Sequence, residues 1–142
     1  MKLIAHRGNI WGKTDNENNP EYISEALNKG YDAEIDVWHI LGEYYLGHDD
    51  PQFKVSEQFL KTDGLWCHAK NPEALRNMLM NPEIHCFWHE EDDYTITSRG
   101  KIWIYPDKQI LEGGIIVLTG DTNPPDFVGL GGVCTDYVGK FK

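Results

Sequence analysis

The chain has 142 residues, 40% of them apolar, and a formal net charge of −10 from 13 basic and 23 acidic side chains. That length holds a single domain, residues 1–142, with a modest core. The acidic balance argues against a nucleic-acid backbone as ligand and against adsorption on an anionic membrane.

No apolar run approaches the ~18 residues of a membrane span. No charged segment followed by an apolar core opens the chain. Neither membrane insertion nor a signal peptide is therefore expected. Cys67, Cys86 and Cys134 are odd in number, lie in apolar strand-like runs and lack zinc-ligand spacing. They read as reduced core thiols, and a cytoplasmic location follows.

Leu3-Ile4-Ala5-His6-Arg7-Gly8 reads as a short buried strand ending in a polar turn. The loop Asn9 to Asn19 is long for a strand-to-helix connection, and such loops are often functional. Its Trp11 either walls a substrate pocket or pins the loop to the surface. Asn19-Pro20-Glu21 is a helix start, with Asn as N-cap, Pro at the first position and Glu in the first turn. Tyr22, Ile23, Ala26 and Leu27 give that helix one apolar stripe, and Gly30 ends it.

Residues 33–37 form the next strand, Ala-Glu-Ile-Asp-Val. Glu34 and Asp36 are two apart, so both carboxylates project from one face. An unpaired buried charge is costly. The pair therefore either lies on a wet edge or holds a hard cation such as Mg²⁺ or Ca²⁺, which carboxylate oxygens suit. A hairpin follows, turning at Leu41-Gly42-Glu43 and returning through Tyr44-Tyr45-Leu46 to Gly47-His48-Asp49-Asp50. If the strands of His6 and of Glu34 lie parallel and adjacent, His6, Arg7, Glu34, Asp36 and His48 meet at one end of a sheet.

Ser56 to Lys61 is a short helix or turn, and Leu65 to Lys70 a strand. Asn71-Pro72-Glu73 opens a second helix carrying Ala74, Leu75, Met78 and Leu79, and Asn81-Pro82-Glu83 stops it. His85 to Glu90 is the next strand, ending in the acidic turn Glu91-Asp92-Asp93, with Glu90 a candidate extra carboxylate. Tyr94–Ser98 and Lys101–Pro106 read as strands joined by a tight turn at Arg99-Gly100. Gly114–Thr119 is a buried strand by its continuous apolar character. A Gly/Asp/Asn/Pro-rich loop covers Gly120 to Pro125, and Gly131–Tyr137 closes the chain with Thr135 and Asp136 bracing the last strand.

Ile4-Ala5-His6-Arg7-Gly8, Asn19-Pro20-Glu21, Gly30-Tyr31-Asp32-Ala33-Glu34-Ile35-Asp36-Val37 and Gly47-His48-Asp49 together resemble the glycerophosphodiester phosphodiesterase family. The likeness is close over residues 3–50 and weaker beyond. The family's fold is a TIM barrel, which at full size needs about 250 residues. The resemblance therefore implies an α/β chain with a reduced TIM-barrel-like fold, several crossover helices missing. A partly open or flattened sheet is the alternative.

The resemblance also implies roles. His6 is the general base and His48 the general acid; Glu34 and Asp36 hold a divalent metal, with Mg the first candidate and Mn or Ca the others. Arg7 and Lys70 contact phosphate oxygens. The third ligand position, a Glu in the family, is His68. Either His68 ligates a metal that suits imidazole, or it donates to phosphate while Mg rests on two carboxylates and water. The implied substrate is a small phosphodiester with a glycerol-like or inositol-like headgroup, whose own hydroxyl attacks first. Two other readings stand beside this enzyme: a degenerate member that binds a phosphorylated ligand without turnover, and an accessory subunit completed by a partner. The oligomeric state is open.

Overall fold

The computed structural model describes residues 1–141. Ten strands and three helices form a mixed α/β architecture: β1 (Lys2–His6), α1 (Pro20–Asn28), β2 (Asp32–Ile40), β3 (Glu43–Leu46), β4 (Phe53–Val55), α2 (Glu57–Leu60), β5 (Leu65–Ala69), α3 (Pro72–Leu79), β6 (Cys86–Phe87), β7 (Tyr94–Ile96), β8 (Ile102–Ile104), β9 (Ile115–Val117) and β10 (Gly132–Thr135). A 3-10 turn, Val138–Phe141, follows.

Caps place the helices where the residue pattern puts them. The Asn19 side chain accepts from the Glu21 N–H and the Asn71 side chain from the Ala74 N–H, with Pro leading each helix. Ser56 does the same for the single turn of α2.

One sheet runs β4-β3-β2-β1-β10-β9-β8-β7, with β5 on the other edge of β2 and β6 beside β5. Strands β6, β5, β2, β1, β10, β9 and β8 are mutually parallel, and β3, β4 and β7 are antiparallel additions. β2 has nine residues. Its length lets it pair with β1 near its start, with β5 along its middle and with β3 at its end.

The sheet curls until its two arms face each other. Trp66 of β5 and Phe87 of β6 pack on Trp103 of β8, at 5.7 and 4.7 Å between ring centroids. The ladders nevertheless do not close. Between β6 and the β7 region the seam is held by the Ser98 N–H to Cys86 O bond (2.8 Å), by Ser98 Oγ accepting from the Cys86 N–H (2.9 Å), and by Thr95 Oγ1 donating to Trp88 O (2.8 Å). The expected strand around His85 to Glu90 is thus cut to two residues, because beyond Phe87 the chain bonds through side chains rather than through a ladder.

Alternation sorts the strands into two faces. Outward, Ile35, Cys67 and Cys86 pack under α1 and α3 through Ile23, Ala26, Ala74 and Met78. Ile104, Ile116 and Val133 also pack together, but against loop residues such as Ile110, Leu118 and Leu130. No helix covers that side, because residues 105–114 and 118–131 run as loops. Inward, Ile4, Trp66, Phe87, Trp103, Ile115 and Cys134 fill the middle of the curl. The three cysteines are free and buried. Burial pushes the Cys67 and Cys134 thiols up in pKa. Among the described residues no helix is long and apolar enough to cross a membrane.

Candidate active site

Parallel register assembles the site. His6 sits beside Glu34 across β1 and β2, and Asp36 beside His68 across β2 and β5. Residues in register on parallel strands share a face, so all four project inward at the carboxyl ends of the strands. With Arg7, His48, Phe87 and Tyr105 they line a cavity of about 350 Å³.

The turn after β1 is sharp. Arg7 and Gly8 both adopt left-handed backbone, at φ 55° and 87°. A Cβ on Gly8 would lie 2.8 Å from Ile23 and 2.9 Å from Tyr22, so only glycine lets the turn sit down on α1. The Arg7 N–H donates to Glu34 O (2.9 Å), which ties the turn to β2. Its guanidinium faces Asp36 Oδ2 (3.4 Å) and Glu17 Oε1 (3.6 Å).

His6 Nδ1 lies 2.8 Å from Asp136 Oδ1. A carboxylate only accepts, so Nδ1 carries the proton and Nε2 is left toward Glu34 Oε1, 3.8 Å away. Asp136 also accepts from Asn9 Nδ2 (2.9 Å), which is itself buried and accepts from the Tyr22 hydroxyl (2.9 Å). Burial pulls the His6 pKa down, but the bond to Asp136 and the charge of Glu34 prevail and raise it. Burial favours the acid form of Asp136, yet His6 and Asn9 hold its pKa low.

Glu34 and Asp36 are 3% and 1% exposed, so the carboxylate pair lies inside and not on a wet edge. Asp36 is clamped by Asn18, which donates Nδ2–H to Oδ2 and accepts the Asp36 N–H, both at 2.9 Å. Burial works against the Asp36 charge; His68, Asn18 and Arg7 outweigh it and hold the carboxyl well below its usual range. His68 Nε2 donates to the carbonyl of His89 (2.7 Å), and its ring stacks on Phe87 at 5.0 Å. That bond turns Nδ1 toward Asp36 Oδ1 (3.4 Å) and Glu34 Oε2 (3.6 Å). Burial lowers the His68 pKa, but the two facing carboxylates raise it to about 9.

Ligand atoms of Glu34, Asp36 and His68 lie within 4.8 Å of one another. Glu34 Oε1 is buried without a hydrogen-bond partner among the described residues. An acceptor-only oxygen with nothing to accept from, beside a second carboxylate and an imidazole whose tautomer a carbonyl fixes, suits a divalent cation.

No family model, curated protein or solved structure matches the chain.

His48 reaches the cavity rim through the β2–β3 hairpin. The Gly47 N–H donates to Asp36 O (3.1 Å), and the Trp38 indole donates to Gly47 O (2.7 Å). His48 is half-exposed, with Nδ1 2.8 Å from Asp49 Oδ1. Lys70 does not line the cavity. β5 ends at Ala69, but the Lys70 N–H still donates to Val37 O (2.8 Å) before the chain reaches the Asn71 cap. Glu90 lines the cavity but stands outside the metal-competent group.

Two residues beyond those singled out from the sequence belong to the arrangement, Asn9 and Asn18, and Asp136 joins them. Asp136 does more than brace the last strand, since it orients His6. The one signal available for Asn9 and Asn18 was a polar loop of unusual length.

Proposed function

We propose that the chain is a metal-dependent phosphodiesterase, a shortened relative of the glycerophosphodiester phosphodiesterases on a reduced, unclosed TIM-barrel-like sheet. One observation carries the reading. Two buried carboxylates and an oriented imidazole converge, and one carboxylate oxygen, Glu34 Oε1, has no hydrogen-bond partner among the described residues. His6, His48 and Arg7 line the same cavity.

Glu34, Asp36 and His68 would hold the divalent ion, Mg, Mn or Ca. When bound it offsets charge on the phosphoryl oxygens. His6 Nε2, with its other nitrogen on Asp136, takes the proton from the substrate hydroxyl that attacks phosphorus. His48, protonated, gives a proton to the departing alkoxide from the rim, where product leaves. Arg7 has guanidinium N–H groups in excess of its two carboxylate partners and steers a phosphoryl oxygen. Asn18 keeps Asp36 ionised and in place.

A second reading is favoured by two departures. The third ligand is an imidazole rather than an acid, and Lys70 stays away from the cavity. It makes the protein a binder of a phosphorylated ligand that does not turn it over. One assay separates them: hydrolysis of a glycerophosphodiester with added Mg, Mn or Ca. Turnover that falls at least about 100-fold in His6→Ala is expected. No turnover with any of the three ions, from folded protein, leaves only the binder.

A further inference from the structure

A second cavity, of about 140 Å³, lies at the opposite mouth of the curled sheet, among Lys2, Asp32, Trp66, His85, Arg99 and Lys101. These residues start β1 and β2, lie within β5, immediately precede β6 and β8, or, for Arg99, lie in the β7–β8 turn. The mouth is the amino-terminal one, away from His6 and Asp36. In a chain of net charge −10 it gathers three cations against a single carboxylate. That carboxylate is already engaged: Asp32 Oδ2 accepts from the Trp66 indole (2.9 Å) and faces Lys2 Nζ at 3.8 Å. The Lys101 ammonium has no side-chain partner among the described residues, and Arg99 spends one arm on Glu83 O (3.0 Å).

The protonation of His85 follows from its neighbour. Thr97 Oγ1 accepts from the backbone N–H groups of Lys101 (3.1 Å) and Arg99 (3.4 Å). With both lone pairs used, its one proton goes to His85 Nε2 at 2.7 Å. His85 therefore carries its own proton on Nδ1. The residue is only 6% exposed, and Nδ1 has no partner among the described residues. His85 lines this cavity, and Nδ1 is not among the fully buried side-chain atoms left without a partner. Burial, then Arg99 and Lys101, depress the His85 pKa to about 4, so the field of both cations reaches the ring.

We propose that this second cavity is an oxyanion site for one phosphate-sized group, held by the His85 Nδ1–H and by the charges of Arg99 and Lys101, with Lys2 at the rim. An N–H donor and guanidinium and ammonium groups around a small space are what an oxyanion needs. The site is separate from the metal-competent cavity and does not depend on catalysis.

The test is an NMR titration of the full chain with inorganic phosphate and, in parallel, glycerol 3-phosphate, following the Trp66 indole N–H and the His85 ring. Saturable movement of both is expected in the wild type and in Arg7→Ala, which removes a cation from the other mouth only. Lys101→Ala should weaken binding about tenfold, and Arg99→Ala/Lys101→Ala further. Lys101→Ala removes an exposed side chain without a side-chain partner, so its fold is not at stake. The bound anion, set against Arg99, Lys101, Lys2 and Asp32, should raise the His85 pKa. The tighter of the two anions names the source, and binding of either supports the site. Anion-induced shifts confined to the His6–Arg7 mouth, shifts unchanged in the double variant, or no shift at all would overturn it.

Discussion

Asp136 and His85 show how one hydrogen bond decides what an imidazole can do. Asp136 holds the proton of His6 on Nδ1 and raises its pKa, so Asp136→Asn should lower kcat by about 100-fold or more. The same change should move the acidic limb of the pH–rate profile to lower pH, because a base of lower pKa is free at lower pH. A residue that only propped up the strand would leave that limb in place. His85 bears on stability instead. Its pKa falls from 6.5 when unfolded to about 4 when folded, so between those values the unfolded chain binds the extra proton. Stability is then full above pH 6.5 and is lost as pH falls toward 4, by on the order of 3 kcal/mol. Urea midpoints in phosphate-free buffer should show this fall for the wild type and a shallower one for His85→Gln.

At the scale of elements, turns place the side chains and glycines make the turns possible. A Cβ on Gly131 would lie 2.1 Å from the backbone oxygen of Gly113, where β10 starts beside the loop before β9. Gly131→Ala should cost about 3 kcal/mol or more, since two backbones must part. Gly42, at the β2–β3 tip, has φ 82° and open space around it, so Gly42→Ala should cost only about 1 kcal/mol. Chemical denaturation of the two variants checks the contrast. The elements themselves were largely legible, because Asn-Pro-Glu caps and period-two apolar runs are local signals. The partners of Asp136 lie 127 and 130 positions away, and no window along the chain contains both ends of such a bond.

For the whole molecule, the open question of closure has a concrete answer at the β6–β7 seam. The condition that the strands of His6 and Glu34 lie parallel and adjacent is met by β1 and β2, while the place of β5 had no signal in the sequence. The unclosed side had none either, because Ser98 and Thr95 act through hydroxyls that a strand pattern ignores. Ser98→Ala strips the Cys86 N–H of its acceptor and Ile84 O of a weaker donor (3.3 Å). It should destabilise by about 1–2 kcal/mol. Hydrogen exchange should speed up first at Cys86 and Ser98, with β1 and β2 unaffected at the same time points.

Six inward side chains from β1, β5, β6, β8, β9 and β10 fill the centre of the curl. Rings continue through it from His85 on Trp66, by way of Trp103 and Phe87, to His68. This layer of rings lies between the cavity beside His6 and the one beside His85. Under the proposed function, the rim at His48 would be the side from which a ligand reaches His6.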